Sequence, residues 1–70
     1  MSAYAVVIEG ADGSYSAYVP DLPGCVATGE SVEEVAALIR EAIEFHIESL
    51  RVHGEPVPTP TTAVRTVDVA

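Results

Sequence analysis

An α+β domain of order β-β-β-α-β is what this sequence predicts: an antiparallel three-stranded meander plus a fourth strand, with one long helix packed on one face. Two patterns predict it. Segments that alternate in the manner of strands lie near both ends of the chain, and between them apolar residues recur at three- and four-residue steps. Length supplies a third constraint, because 70 residues give room for one domain, residues 1–70, and no second core.

In Tyr4-Ala5-Val6-Val7-Ile8-Glu9, β-branched and aromatic residues put Tyr4, Val6 and Ile8 on one face and Ala5 and Val7 on the other. Both faces are apolar, as in a strand covered on two sides or one whose second face meets another subunit. Gly10-Ala11-Asp12-Gly13 reads as a turn. The second strand is Ser14-Tyr15-Ser16-Ala17-Tyr18-Val19, with Tyr15, Ala17 and Val19 on one face, and Pro20 ends its ladder. Two prolines, an aspartate and a glycine make Pro20-Asp21-Leu22-Pro23-Gly24 an ordered bend before a short third strand, Cys25-Val26-Ala27-Thr28.

Ser31 is then an N-cap and Glu34 completes a capping box, while Glu33 and Glu34 favour the positive end of the helix dipole. From Val32 the residues Val35, Ala36, Ile39, Ala42, Ile43, Ile47 and Leu50 share one face of a helix running to about His53, with Gly54 as its cap. Such a helix is roughly 33 Å long, enough to lie across the whole of a small sheet. Glu33, Arg40, Glu41, Glu44, Glu48 and Arg51 fall on the opposite, net acidic arc. Leu38, Phe45 and Val52 repeat every seven residues along a flank, where they form a subunit-facing seam or cover a sheet edge. Glu55-Pro56-Val57-Pro58-Thr59-Pro60 is a stiff, extended connector, and Ala63-Val64-Arg65-Thr66-Val67-Asp68-Val69 alternates as a fourth strand of the same sheet.

A compact chain of this size exposes roughly 4,200 Å² and has a marginal core. One cysteine allows no internal disulfide, so a homo-oligomer, dimer or tetramer, is the expected source of extra stability. The hydrophobic content of 49% excludes a disordered acidic chain. A net charge of −8 argues against direct nucleic acid binding and suits a basic protein partner. No apolar run is long enough for a membrane span, and the start Met1-Ser2-Ala3-Tyr4 lacks the positive region of a secretory signal, so the cytoplasm is expected.

No catalytic, cofactor-binding or metal-ligating residue is assigned, and the chain is read as a non-enzyme. His46 and His53 are seven apart on the helix, roughly 10 Å along its axis, too far for one ion. They read as an interface histidine and one near the helix end, where the dipole favours a cation. Cys25, at the start of a strand, reads as a small buried hydrophobe. Glu9, Asp12 and Asp21 stand at strand ends and turns without paired spacing, and the glycines form no phosphate cradle.

The hexapeptide Pro20-Asp21-Leu22-Pro23-Gly24-Cys25, followed by Ala27-Thr28-Gly29-Glu30-Ser31, Glu33-Glu34 and the Gly54-Glu55-Pro56-Val57-Pro58 tail, resembles the HicB-like antitoxin family. The resemblance spans nearly all of residues 3–69. It implies a partial ribonuclease-H-like fold. It also implies an antitoxin of a type II toxin–antitoxin system that binds and neutralises HicA, a small basic messenger-RNA-cleaving toxin, by occluding its RNA-binding surface. Many members of that family carry a C-terminal DNA-binding segment, and none is expected here. Asp21, Leu22, Glu41, Glu44 and Glu48 are the candidate toxin contacts; Leu38, Phe45 and Val52 are the candidate oligomer interface. A stand-alone HicB-like domain that senses a small molecule in a pocket lined by Tyr15, Tyr18 or His46 is the alternative, and a divalent-metal nuclease using Glu9 or Asp21 is a third reading by fold analogy alone.

Overall fold

A computed structural model describes residues 2–70. Asp12 and Gly13 have φ angles of 51° and 80°, the two positive values a type I′ hairpin turn requires. They join β1 (Val7–Ala11) to β2 (Ser14–Tyr18), antiparallel in the register Val7↔Tyr18 through Ala11↔Ser14. The turn is thus two residues long, and β1 continues through Gly10 to Ala11, further than the four-residue turn allows. At its other end β1 begins at Val7 instead of Tyr4. Continuing the register would oppose Val6 and Ala5 to Val19 and Pro20, where β2 has ended and proline has no N–H to donate.

The bend after β2 is tied by its own backbone. The Leu22 N–H donates to the Val19 carbonyl at 3.0 Å, Cys25 N–H to Leu22 at 3.0 Å, and Val19 N–H to Cys25 at 3.2 Å. These bonds fold Leu22 inward, where its side chain is wholly buried. β3 (Val26–Gly29) then pairs antiparallel with β2, so the sheet order is β1-β2-β3.

α1 (Val32–Val52) starts as its capping residues dictate. Ser31 Oγ accepts the Glu34 N–H at 3.0 Å, and Glu34 Oε1 accepts the N–H of Glu30 at 2.9 Å, one residue before the cap residue itself. It ends in a Schellman motif: Gly54, at φ 69°, donates to Arg51, and the next N–H, of Glu55, donates to Leu50 at 2.8 Å. Three antiparallel strands followed by one long helix make an α+β fold. The core of Ala17, Val19, Leu22, Cys25, Val35 and Ile39 lies between the sheet, the bend and the first half of α1. Gly29 lets strand and helix approach here, since a Cβ would stand 2.8 Å from Glu34 Oε1 and 3.3 Å from the Val35 nitrogen. The helix lies over β3 and β2 and touches β1 least, so it does not cover the whole sheet.

The expected fourth strand is corrected by the structure. Residues 55–70 contain no strand, and Val64, Val67 and Val69 are exposed. The proline tract runs from the helix end past Tyr4, whose hydroxyl donates to the Pro58 carbonyl. Thr61 and Thr62 then bond to Asp21 in the bend, and beyond them the chain leaves the body. An isolated extended segment has no internal hydrogen bonds, so its alternating pattern alone cannot hold it in a ladder.

Candidate functional site

The bend that carries the signature hexapeptide is held by internal contacts. Asp21 Oδ2 accepts the N–H groups of Thr61 and Thr62, both at 3.1 Å, and Oδ1 accepts their hydroxyls at 3.0 and 2.9 Å. The bond from the Thr62 N–H is the main cause that holds the Asp21 carboxyl below its ordinary value, with the other three assisting against partial desolvation. Leu22 has no exposed surface, and burial pushes the Cys25 thiol up, away from the thiolate form. Two expected partner contacts, Asp21 and Leu22, are therefore engaged inside the chain: one clamps the tail and the other plugs the core. Pro23 and Gly24 form the exposed tip.

The expected helix contacts separate onto two flanks. With about 3.6 residues per turn, Leu38, Phe45 and Val52 fall on one side of the buried Val35 and Ile39 line, and Arg40, Glu44 and Arg51 on the other. On the first flank Phe45 is 77% exposed, Val52 71% and Leu38 38%. Glu41 and Glu48, both exposed, run beside them along the outermost ridge. On the second flank Arg40, Glu44 and Arg51 rim a groove of about 670 Å³ between the helix and the N-terminal segment, floored by Val6, Ile8, Ile39 and Ile43. Glu44 is exposed at the groove rim and is also one helical turn from both Glu41 and Glu48. The chain has three basic residues, Arg40, Arg51 and Arg65, and none is on the Glu41–Glu48 ridge or the Phe45 flank. That surface combines carboxylates with exposed apolar side chains, and the nearest arginine, Arg51, stands at its border one turn after Glu48.

Neither groove nor clamp was legible locally. The groove exists because the helix shifts toward β3, and the clamp joins residues 40 and 41 positions apart, beyond any periodicity. A pair of threonines just after the last proline is the one local hint, since it places two N–H groups and two hydroxyls together.

The other chemistry-bearing residues stay apart. His53 Nδ1 lies 2.7 Å from the Ser49 carbonyl and caps the helix end, while His46 is half-buried on the core side. Tyr15 and Tyr18, three apart in β2, project from opposite sheet faces, so they do not line one pocket. On the face away from the helix, Val7, Tyr18 and Val26 align across the three strands, with Tyr18 43% and Val26 63% exposed. Glu9 is exposed on that same face. Among the described residues no three His, Cys, Asp or Glu side chains gather to hold a metal ion, and no helix is long and apolar enough to cross a membrane.

Residues 4–69 match a family described as HicB-like antitoxin of bacterial toxin-antitoxin system. A UPF0150 protein of Synechocystis is 40% identical over 67 residues, covering 94% of this chain and 85% of the relative. One of Thermoplasma acidophilum is 45% identical over 56 residues, 79% of this chain and 81% of the relative. An uncharacterised 14.9 kDa protein of Haemophilus phage HP1 is 38% identical over 55 residues, which cover 41% of its length.

Proposed function

The chain belongs to the HicB-like antitoxin family, and from that premise we propose that it neutralises a small basic, HicA-type messenger-RNA-cleaving toxin by covering the surface with which the toxin binds RNA. One observation carries the reading: the outer helix surface holds Glu41 and Glu48 beside exposed Phe45, Leu38 and Val52, with every arginine of the helix on the other flank. RNA presents its protein with a row of negative charges, and a protein that binds RNA answers with cations. A ridge of carboxylates competes for those same cations. The adjoining apolar side chains would add the contact area that charge alone does not supply, because electrostatics sets encounter rate and register more than affinity. This reading assigns Leu38, Phe45 and Val52 to the toxin contact in place of the subunit seam expected from sequence.

Neutralisation in this form needs no chemistry. The antitoxin occupies the cationic surface and RNA is displaced, so inhibition is competitive and no residue here acts as acid, base or nucleophile. Residues 1–70 suffice for occlusion as one domain, and the reading implies the cytoplasm, where messenger RNA is met. Glu44, one turn from both Glu41 and Glu48 and at the groove rim with Arg40 and Arg51, borders the contact, and Asp21 and Leu22 support it only by holding the fold.

The test is to mix the purified chain with the small basic protein encoded beside it and to follow complex formation and RNA cleavage. The expected result is a complex at micromolar concentration that suppresses cleavage, relieved by excess RNA, and weakened at least tenfold by Phe45→Ser. No complex at that concentration, or inhibition that RNA does not relieve, rejects occlusion.

A further inference from the structure

We propose that residues 63–69 form an intermolecular strand: each chain lays this arm on the free edge of β1 in a second copy, over the groove between β1 and α1, to make an arm-exchanged dimer. The proposal is independent of the toxin reading and stands without it.

Shape is the first ground. The Cα radius of gyration is 13.5 Å and the longest extent is 46 Å, whereas a compact domain of this length has a radius of gyration of about 11 Å. The excess is the arm, whose residues are all exposed. Area gives the same answer. The chain exposes 5336 Å², roughly 1,100 Å² more than a folded monomer of its mass, and a stable interface buries about 800 Å² on each partner. The surplus is one interface in size.

The site and the arm also fit each other. The sheet order leaves the outer edges of both β1 and β3 without a neighbour, each a row of free N–H and C=O groups that can pair with an added strand, and of the two it is β1, through Ile8, that adjoins the groove. Beside that edge the groove exposes parts of Val6, Ile8 and Ile43. An arm of seven residues is roughly 23 Å long in extended form and carries Val67 and Val69 on one face with Ala63 and Arg65. Arg65 and Asp68 cancel, so the arm is neutral in a chain of net charge −8, and the groove rim holds Arg40 and Arg51 with Glu44. Neither surface carries net negative charge, so dimerisation here avoids most of the like-charge repulsion. Each chain keeps its own arm away from its own groove by the Asp21 clamp on Thr61 and Thr62. Exchange between copies satisfies both arms and closes the assembly with two-fold symmetry.

Light scattering on the full chain at about 50 μM, with far-UV circular dichroism as the folding control, decides it. The wild-type chain is expected at the mass of at least two chains. Val67→Asp combined with Val69→Asp should run at the mass of one chain with an unchanged helical signal, and Phe45→Ser should keep the wild-type mass. Hydrogen exchange should show protection of alternate amides of the arm, either Val64 and Thr66 or Arg65 and Val67, that is lost on dilution. A wild-type chain at the mass of one chain, an assembly that survives the double substitution, or one abolished by Phe45→Ser overturns the arm exchange.

Discussion

Asp21 shows how one side chain joins two distant parts of a small molecule. Its carboxylate accepts four hydrogen bonds from two consecutive threonines 40 and 41 residues away, which fixes where the tail leaves the body. Those bonds favour the ionised form and lower the folded pKa below the ordinary 3.8. A group with a depressed folded pKa contributes fully above its unfolded value and loses that contribution as pH falls through the folded one. The tail should therefore stay docked above about pH 4 and detach on further acidification. The measurement is amide hydrogen-exchange protection at Thr61 and Thr62, corrected for intrinsic rates, as a function of pH. Asp21→Ala should abolish protection at every pH. Asp21→Asn should keep part of it with no titration, because its one carbonyl oxygen still accepts both N–H groups while its amide can donate to the hydroxyls. Protection that persists unchanged to pH 2 in the wild-type chain would show that the clamp does not hold the tail.

At the scale of elements, α1 is the best determined by its own sequence. Ser31 and Glu34 mark the start, Gly54 the stop, and Val35, Ile39, Ala42 and Ile43 the inward face, all within one continuous stretch where pattern and packing agree. Ser31→Ala should cost about 1 kcal/mol in chemical denaturation, with an unchanged denaturant slope, since it removes the acceptor for the Glu34 N–H and leaves the core alone. No loss of stability would mean that water replaces the cap at no cost. The hairpin was legible as a hairpin but not in its length, because Gly10-Ala11-Asp12-Gly13 reads as a four-residue turn whereas Asp12 and Gly13 alone supply the two positive φ angles that close it. The bend was legible as a bend, yet its composition did not say that Leu22 would turn inward: that depends on the gap between β2, β3 and α1, which only the assembled fold defines. The last strand was misread for a related reason. Alternation over residues 63–69 reports a capacity to pair, whereas pairing needs a free edge within reach, and the Asp21 clamp fixes Thr61 and Thr62 at the bend, from which the segment pairs with neither edge of its own sheet.

Over the whole molecule the significant quantity is how charge is arranged, more than its sum. Arg40 and Arg51 are both on the groove flank and Arg65 is in the arm, so the face that presents Glu41 and Glu48 is net anionic, with Arg51 at its border. A basic toxin approaching a molecule of net charge −8 is attracted from any direction, but a local ridge also orients it, and steering of this kind raises association rates by on the order of tenfold or more at low salt. Charge reversal distinguishes local from total charge. Glu41→Lys with Glu48→Lys and Glu9→Lys with Asp12→Lys change the net charge equally, the first pair on the ridge and the second on the first hairpin. In stopped-flow association with the toxin, the ridge pair should slow the on-rate roughly tenfold and flatten its salt dependence, while the hairpin pair should leave most of both. Equal effects from the two pairs would mean that only net charge matters and that the toxin does not dock on the outer face of α1. A larger effect from the hairpin pair would move the contact to the sheet, where Val7, Tyr18 and Val26 form the other exposed apolar row.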